Sequence, residues 1–379
     1  MIDYIKKAYA KTGNDGLVMF LCTLSIFFTF YACVIVQLIA LIYAVRKYSF
    51  KKILGAPHMI YPVLLMIPAI ITGIFFRNYL GIFILLLFFI LYLFSIYAQY
   101  MMTEDIRGYI INTVALSSIV TAVIALIQKY PNTGFRSVSL FLNANFYGYF
   151  CELTIVVMVY AIYKSGPKPM YFLSIAANIA GIAASGCRSA WTATAVGIII
   201  LMVCLKKYRH LIVTAFIGAA AALIVFLLPQ VIFPRYSAFS SDKSLRFLIW
   251  KTAMGYIREN PVFGHGMFAY YALSSGRAHD AHAHDFILDL LINFGGVGTL
   301  ILIVFGILVV RDLIKNLKTN KTCALVLAVL AAAFVHGFTD VPFIGVQTSS
   351  LTAMIIALAG TYGVYTKFHI DDTNPIVRQ

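Results

Sequence analysis

Runs of about twenty apolar residues recur along the whole chain, and no other feature constrains its fold as much. A helix needs about that many residues to cross the hydrocarbon core of a bilayer. Lipid offers no partner for free backbone groups, and a barrel would show short alternating segments instead. Only 11% of the residues are charged, against about 25% in soluble domains. The sequence therefore excludes a soluble globule and predicts an all-α, polytopic transmembrane helical bundle.

The apolar runs predict about eleven spans, possibly twelve, in a single membrane domain over residues 1–379. They lie at about 17–45, 58–76, 79–100, 109–128, 147–163, 169–186, 189–205, 211–232, 286–310, 322–338 and 342–365. One hydrophilic segment between them, residues 233–285, is long enough to form a large loop.

Lysine and arginine concentrate in alternate loops, which accounts for most of their excess over acids, 29 against 14. Cytoplasmic loops of membrane proteins are enriched in these residues, so the richer set of loops is predicted to be cytoplasmic. The richer set holds Arg46, Lys47, Lys51, Lys52, Arg107, Lys164, Lys168, Lys206, Lys207, Arg209, Arg311, Lys315, Lys318 and Lys321; the opposite short segments hold Lys6, Lys7, Lys11, Arg77, Lys129, Arg136 and Arg188. We therefore expect an outside N-terminus, a cytoplasmic C-terminus and no nucleic-acid partner.

This topology places the long loop 233–285 outside the cytoplasm. A loop of this length is usually functional or disordered, and its aromatic and aliphatic content argues against disorder. Within it, residues 245–260 have helical spacing, which predicts an amphipathic helix on the membrane surface that ends at Pro261.

The densest polar cluster, residues 279–285, reads HDAHAHD and enters the span that begins at Phe286. It is open to three interpretations: a solvated loop, a metal site that would need a ligand from a second segment, or a catalytic histidine. None of the six cysteines forms a CxxC pair, so the sequence predicts neither a cysteine zinc site nor a disulfide framework.

The residues that follow favour the catalytic histidine. His284 and Asp285 precede nine residues and then Gly295-Gly-Val-Gly298, which resembles a signature of the O-antigen ligase and polymerase superfamily. Four other segments match that family in order, and the resemblance covers about residues 130–360. They are FLNANFYGYF with Asn145, SGCRSAW with Arg188, LRFLIWKTAMGYIRENPVFGHG with Arg246, Pro261, Gly264 and Gly266, and HGFTDVPF with His336 and Asp340. The chain departs from the family in having Asp285 after the histidine and Asn293 before the glycines, with Asp289 one turn earlier.

The resemblance implies a metal-independent, inverting glycosyltransferase of the bacterial cytoplasmic membrane, without a cofactor, whose active site faces outside. Its partners would be a polyprenyl-diphosphate-linked glycan donor, a glycan or lipid acceptor, and membrane lipid. The resemblance makes His284 and Asp285 the catalytic candidates and Arg188 and Arg246 the diphosphate-binding candidates. Asn145, Asp289, His336 and Asp340 are candidates for supporting roles.

Other interpretations of these residues remain open at this stage. Arg188 ends a predicted span, where an arginine can simply extend to the interface, and His336 and Asp340 can satisfy each other on one helix face. The three glycines of the signature allow close helix contact. At the level of function, the alternatives are a secondary transporter of a polar or anionic solute and a zinc-dependent membrane hydrolase. The residues do not distinguish a ligase from a polymerase.

Overall fold

The computed structural model describes residues 2–130, 135–212, 239–274 and 282–360. These residues form helices joined by short connections, and no strand occurs among them. The principal helices are α1 (Ile2–Ile26), α2 (Phe30–Tyr48), α3 (Phe50–Leu54), α4 (Ile60–Phe75), α5 (Tyr79–Met101), α6 (Glu104–Lys129), α7 (Ala144–Ser165), α8 (Pro169–Ser185), α9 (Arg188–Cys204), α10 (Phe239–Glu259), α11 (Ala269–Leu273), α12 (Phe286–Asn316), α13 (Thr322–Gly337) and α14 (Val346–Ala357), with a 3-10 turn at Pro342–Ile344.

Within the described residues, five helices are long and apolar enough to cross a membrane: α2, α5, α6, α7 and α12. Five shorter apolar helices, α4, α8, α9, α13 and α14, pack with them. Helix α7 is the most enclosed of the long helices, because 83% of its most apolar 18-residue stretch is buried. These helices confirm the predicted all-α membrane bundle. The predicted span 211–232 falls almost entirely outside the described residues, so the predicted number of eleven spans stays untested.

The first predicted span, 17–45, is wrong as a single helix. The chain turns at residues 27–29, where the Thr29 side chain accepts a hydrogen bond from Ala32 N and caps the start of α2. Away from this turn, Asp15 of α1 accepts hydrogen bonds from the Tyr43 hydroxyl and from Lys47 Nζ of α2, both at 2.8 Å. The two helices are therefore antiparallel. The apolar residues Phe27 and Phe28 at the turn conceal it from a hydropathy pattern.

The hairpin also corrects the predicted position of the N-terminus. The segment with Lys6, Lys7 and Lys11 now lies at the same end of the bundle as Arg46 and Lys47. It moves from the sparser set of basic loops to the richer set, which strengthens the bias on which the orientation rests.

Long-range hydrogen bonds show which loops share an end of the bundle. At one end, Gln347 Nε2 donates to Ile26 O and Asn78 Nδ2 donates to Met267 O, both at 2.9 Å. We call this end the site end; its described connections are residues 27–29, 76–78, 135–143, 186–187, 260–274, 282–285 and 338–345. At the opposite end, His58 Nε2 lies 2.8 Å from Asp312 Oδ2. Every described candidate site residue lies at the site end.

A break in α12 attaches the long loop to the bundle. Gly295 has φ 61° and ψ −169°, and the turn at residues 260–266 runs alongside the broken helix. Gly296 N donates to Pro261 O at 2.8 Å, and His265 N donates to Ile292 O at 2.9 Å. A Cβ on Gly295 would lie 2.4 Å from the Val262 backbone, so only glycine permits this approach. Close helix contact, the predicted reason for these glycines, fits Gly298, but Gly295 serves the turn.

The helix predicted at residues 245–260 is confirmed as α10, which ends at Glu259 just before Pro261. Its position on the membrane surface stays a prediction. Ile249 and Ala253 are buried in one apolar cluster with Ala283 and Ile292, so this face of α10 packs against α12 and the residue that precedes His284. Leu248 remains 59% exposed. One face of α10 thus joins the bundle and another stays apolar and uncovered.

Cysteine labelling tests this topology. In a cysteine-free background, we expect a cysteine at Ser240 to react with an impermeant thiol reagent in intact cells, because α10 belongs to the loop that the charge distribution predicts to lie outside. A cysteine at Lys11 should react only after the membrane is permeabilised, because the hairpin places α1 with the basic loops. Labelling of Lys11→Cys in intact cells, with Ser240→Cys protected, would invert the orientation.

Candidate functional site

Two histidines and an aspartate from distant segments meet at the site end. His282 and His284 lie just before α12, and Asp340 lies just after α13. Asp340 Oδ1 is 3.2 Å from His282 Nε2 and 3.3 Å from His284 Nδ1. Asp340 and His282 are buried, whereas the His284 side chain is 24% exposed. His284 is therefore the member of the cluster that reaches the surface.

The hydrogen bonds assign the protons of this cluster. The backbone N–H of His284 donates to His282 Nδ1 at 3.2 Å, so Nδ1 carries no proton. His282 is then neutral, with its proton on Nε2 facing Asp340. Burial lowers the pKa of His282 to about 4, against the pull of Asp340 and with a contribution from His284. Burial alone would raise the pKa of Asp340, but His282 and His284 hold it below its usual range.

The backbone of His284 is also unusual. Its φ is 51°, a left-handed value that non-glycine residues adopt at a cost. Such strain persists only where the surroundings hold it, and it clusters at functional sites. Here the bonds to His282 and Asp340 hold the ring.

The buried neutral state of His282 has a consequence for stability. Its pKa in the unfolded chain is near 6.5 and in the folded protein about 4, so the unfolded chain binds more protons between these values. We expect unfolding to become easier as the pH falls from 8 to 5, by about 2 kcal/mol from this group. His265, whose pKa burial also lowers, acts in the same direction. Thermal unfolding in detergent at both pH values checks this.

The control is His282→Asn, which removes the titrating ring. This variant should lose part of the pH dependence while His265 retains its own. An unchanged difference in melting temperature between pH 8 and pH 5 would contradict the neutral assignment of His282.

Asp285, predicted to act with His284, has a different environment. Its Oδ1 accepts hydrogen bonds from Ile287 N and Leu288 N, both at 2.9 Å, which caps α12. Asp289 is buried one turn later, where it accepts from Ala283 N at 3.2 Å and Asn293 Nδ2 at 3.0 Å. The structure thus gives both carboxylates structural bonds. The carboxylate that contacts the His284 ring is Asp340.

His336 faces a partner that the sequence analysis missed. His336 Nδ1 is 2.7 Å from Glu152 Oε2, and both side chains are fully buried. His336 Nε2 is 3.2 Å from Ser189 Oγ, beside Arg188. The predicted mutual pairing of His336 and Asp340 is wrong for their side chains, which have different partners. An acidic residue inside a predicted membrane span often marks a functional site. Glu152 lies in the predicted span 147–163 and could have been identified in this way.

Asn145 also has an unexpected partner. Its Oδ1 accepts from the Arg136 guanidinium, whose Nε donates to Ser185 O at 2.9 Å. Arg136 thereby ties the start of α7 to the end of α8, three residues before Arg188. From the sequence, Arg136 was identified only as one of the basic residues in the short loops.

The two predicted diphosphate-binding arginines both lie at the site end. Arg188 begins α9, whose N-cap residue, Cys187, makes no side-chain capping bond. Arg246 lies three and seven residues before Ile249 and Ala253, hence on the face of α10 that packs toward α12. Both side chains are half-buried. No hydrogen bond or ion pair joins the Arg246 side chain to another described group.

A metal ion could draw on one described group of donors. Atoms of His282, His284 and Asp340 lie within 4.8 Å of one another. A metal on His282 Nε2 would require the proton to sit on Nδ1, where the His284 N–H already donates. Histidine nitrogens and a carboxylate oxygen suit zinc. The hydrogen bond from His284 N to His282 Nδ1, however, disfavours His282 as a ligand.

One comparison with known proteins covers the segment of the chain that contains part of this site. Residues 173–303 match the family model described as O-antigen ligase. The comparison with curated proteins gave no match. The matched segment contains Arg188, Arg246, His284, Asp285 and Asp289, whereas Asn145, His336 and Asp340 lie outside it. The match supports a membrane protein with a role in cell-surface polysaccharide assembly. Over residues 173–303 the chain is thus similar to the O-antigen ligases, and the resemblance predicted from the sequence is confirmed.

Proposed function

We propose that this protein transfers a glycan from a polyprenyl-diphosphate donor to an acceptor hydroxyl on the outer side of the bacterial cytoplasmic membrane. The observation that carries this proposal is the partly exposed His284, bound to the buried Asp340 at the end of the bundle that also holds Arg188 and Arg246. The match to O-antigen ligases supports the reaction class.

His284 is the proposed general base. Asp340 accepts from His284 Nδ1, which leaves Nε2 with a lone pair for the proton of the acceptor hydroxyl. The carboxylate also stabilises the imidazolium that forms, as in other histidine–carboxylate pairs. His282 Nε2 contacts the same Asp340 oxygen, and its ring lies against the His284 ring with centroids 4.3 Å apart, so that His284 is presented in one orientation.

The arginines are the proposed anion-binding groups. A guanidinium forms forked, charge-assisted hydrogen bonds with phosphate. If they bind the diphosphate, Arg188 and Arg246 would stabilise the negative charge that grows on it as the bond to the glycan breaks. The apolar helices would hold the polyprenyl tail.

The reaction then balances without a cofactor. The acceptor oxygen attacks the anomeric carbon, and its proton passes to His284. The bond between that carbon and the bridging oxygen breaks, and its electron pair leaves with the polyprenyl diphosphate. Attack from the face opposite the leaving group inverts the anomeric configuration. Nucleotide sugars are not available outside the cytoplasm, so a donor already activated and flipped across the membrane is required.

Reconstitution tests the reaction. Purified protein in proteoliposomes with a polyprenyl-diphosphate-linked glycan should release one polyprenyl diphosphate for each glycan transferred, measured by mass spectrometry. Uptake of an intact solute without consumption of the donor would support the transporter instead.

The zinc-dependent hydrolase is the second candidate, because His282, His284 and Asp340 offer three donors. Under our proposal, purified wild-type protein should hold near-zero zinc by elemental analysis, since the bond from His284 N to His282 Nδ1 opposes the metal-binding tautomer. Stoichiometric zinc that is lost in His284→Asn and Asp340→Asn would favour the hydrolase and contradict the metal-free mechanism.

A further inference from the structure

A second series of hydrogen bonds links Glu152, His336 and Ser189. It has no part in the proposed proton transfer to His284. It begins inside the bundle, where Glu152 and His336 have no exposed surface, and it ends at Ser189, which is half-buried in the first turn of α9. Ser189 follows Arg188 directly. The hydroxyl at the end of this chain therefore lies beside a proposed anion-binding arginine.

The electroneutral forms of the buried pair fix the direction of its hydrogen bonds. If Glu152 is ionised and His336 is protonated, both ring nitrogens carry hydrogen. If both groups are neutral, the Glu152 hydroxyl donates to His336 Nδ1, and the ring proton sits on Nε2. The other two forms leave a net charge in a fully buried position: a neutral Glu152 beside a protonated His336, in which Nε2 also carries hydrogen, or an anionic Glu152 beside a neutral His336. The buried carboxylate of Asp340 differs, because its Oδ1 accepts from His282, His284 and Val341 N, whereas among the described residues His336 alone contacts the Glu152 carboxylate. In both favoured forms, His336 Nε2 donates to Ser189 Oγ, 3.2 Å away.

This direction leaves the Ser189 proton available to another acceptor. The neighbouring acceptor is Cys187 Sγ at 3.3 Å, and sulfur accepts hydrogen bonds weakly. A hydroxyl that already accepts from a polarised ring N–H is a stronger donor, because successive hydrogen bonds polarise one another. Its best partner is an anionic oxygen on the side of Arg188.

We propose that Ser189 is a third contact to the donor diphosphate, donating its hydroxyl hydrogen to a phosphate oxygen held by Arg188. His336 and Glu152 are positioning residues that fill the acceptor side of this hydroxyl. The inference rests on the proposed function, since it takes the diphosphate of that donor as the anion. It opposes a nucleophilic role for Ser189, which would require His336 Nε2 to accept the hydroxyl proton.

Binding of three lipid probes to the full chain in nanodiscs tests this contact. The probes are a polyprenyl diphosphate, the matching monophosphate and the uncharged polyprenol. Loss of a hydrogen bond to a charged group typically weakens binding about tenfold or more. We expect Ser189→Ala to weaken diphosphate binding about tenfold and to leave polyprenol binding unchanged. Ser189→Thr should restore the affinity, because it keeps the hydroxyl.

A double variant tests whether His336 and Glu152 act on diphosphate binding through Ser189. His336→Leu, which removes the ring N–H that donates to Ser189, should weaken diphosphate binding in the presence of Ser189 but add nothing to Ser189→Ala. Thr192→Ala is the matched control, because it removes an exposed hydroxyl one turn along α9 that bonds only to Ser189 O in the described residues. That control should bind all three probes as the wild type does. Thermal unfolding confirms that each variant is folded.

Three results would overturn the inference. Wild-type diphosphate affinity in Ser189→Ala, with affinity lost in Arg188→Ala, would remove Ser189 from the site but leave the proposed function intact. Unchanged affinity in both variants would contradict the diphosphate site itself. Covalent labelling of Ser189 by a fluorophosphonate that requires His336 would show a nucleophile instead of a hydrogen-bond donor.

Discussion

Replacing His284 by asparagine should lower glycan transfer by at least about 100-fold while folded protein remains in the membrane, because general base catalysis contributes roughly 10²–10⁴-fold. Asparagine tolerates the left-handed backbone at this position, where φ is 51°. The substitution removes the imidazole without adding backbone strain. Binding of the polyprenyl-diphosphate donor should be retained, because the arginines remain. Transfer is measured in proteoliposomes and folding by thermal unfolding.

The chain contains a matched control at the opposite end of the bundle. His58 also has a left-handed backbone, with φ 64°, and its Nε2 lies 2.8 Å from the buried Asp312. His58→Asn thus removes a second histidine–aspartate pair, which lies at the end of the bundle opposite the proposed site. We expect it to retain transfer. Similar activity in the two variants, whether lost or kept, would contradict the assignment of His284 as the base.

The second large effect concerns Arg188 and Arg246. Alanine at either position should weaken donor binding and lower transfer by about 100-fold or more, the loss typical when one group that stabilises developing charge is removed. Lysine should also impair transfer markedly, because it keeps the charge but loses the planar fork. Donor affinity and the transfer rate are measured separately for each variant.

The control for this pair is Arg258→Ala, which removes an exposed arginine from the last turn of α10. It should bind the donor as the wild type does. Asp242 lies four residues before Arg246 in the sequence, and Asp242→Asn should leave donor binding unchanged if the anion that Arg246 binds is the diphosphate. Unchanged donor binding in both Arg→Ala variants would mean that the arginines are structural.

Much of the architecture follows from the sequence, because hydropathy and turn residues act locally. The span lengths predict the helical bundle, and the spacing of apolar residues predicts α10 with its end before Pro261. The hairpin of α1 and α2 was missed because its turn contains Phe27 and Phe28, which hydropathy cannot separate from the flanking helices. An error at this one turn reversed the predicted side of the N-terminus.

The sequence predicted most residues of the candidate site but not which of their side chains pair with each other. The motif identified His284, but its carboxylate partner, Asp340, is 56 positions away, and the pairing depends on how α12 and α13 pack. Asp285, adjacent in sequence, instead caps α12. Glu152 reaches His336 across 184 positions, inside a span where helical spacing alone indicated only burial. Such pairings are set by tertiary packing, and local pattern does not encode them.

The fate of one oxygen atom tests the central claim most directly. The donor is prepared with ¹⁸O at the bridge between the anomeric carbon and the diphosphate, and the products of the purified protein are analysed by mass spectrometry. Attack at the anomeric carbon predicts that the label leaves with the polyprenyl diphosphate and that the new glycosidic bond is unlabelled. Label in the transferred glycan would mean that a phosphorus–oxygen bond breaks, and it would contradict the glycosyl transfer that the His284–Asp340 pair is proposed to catalyse.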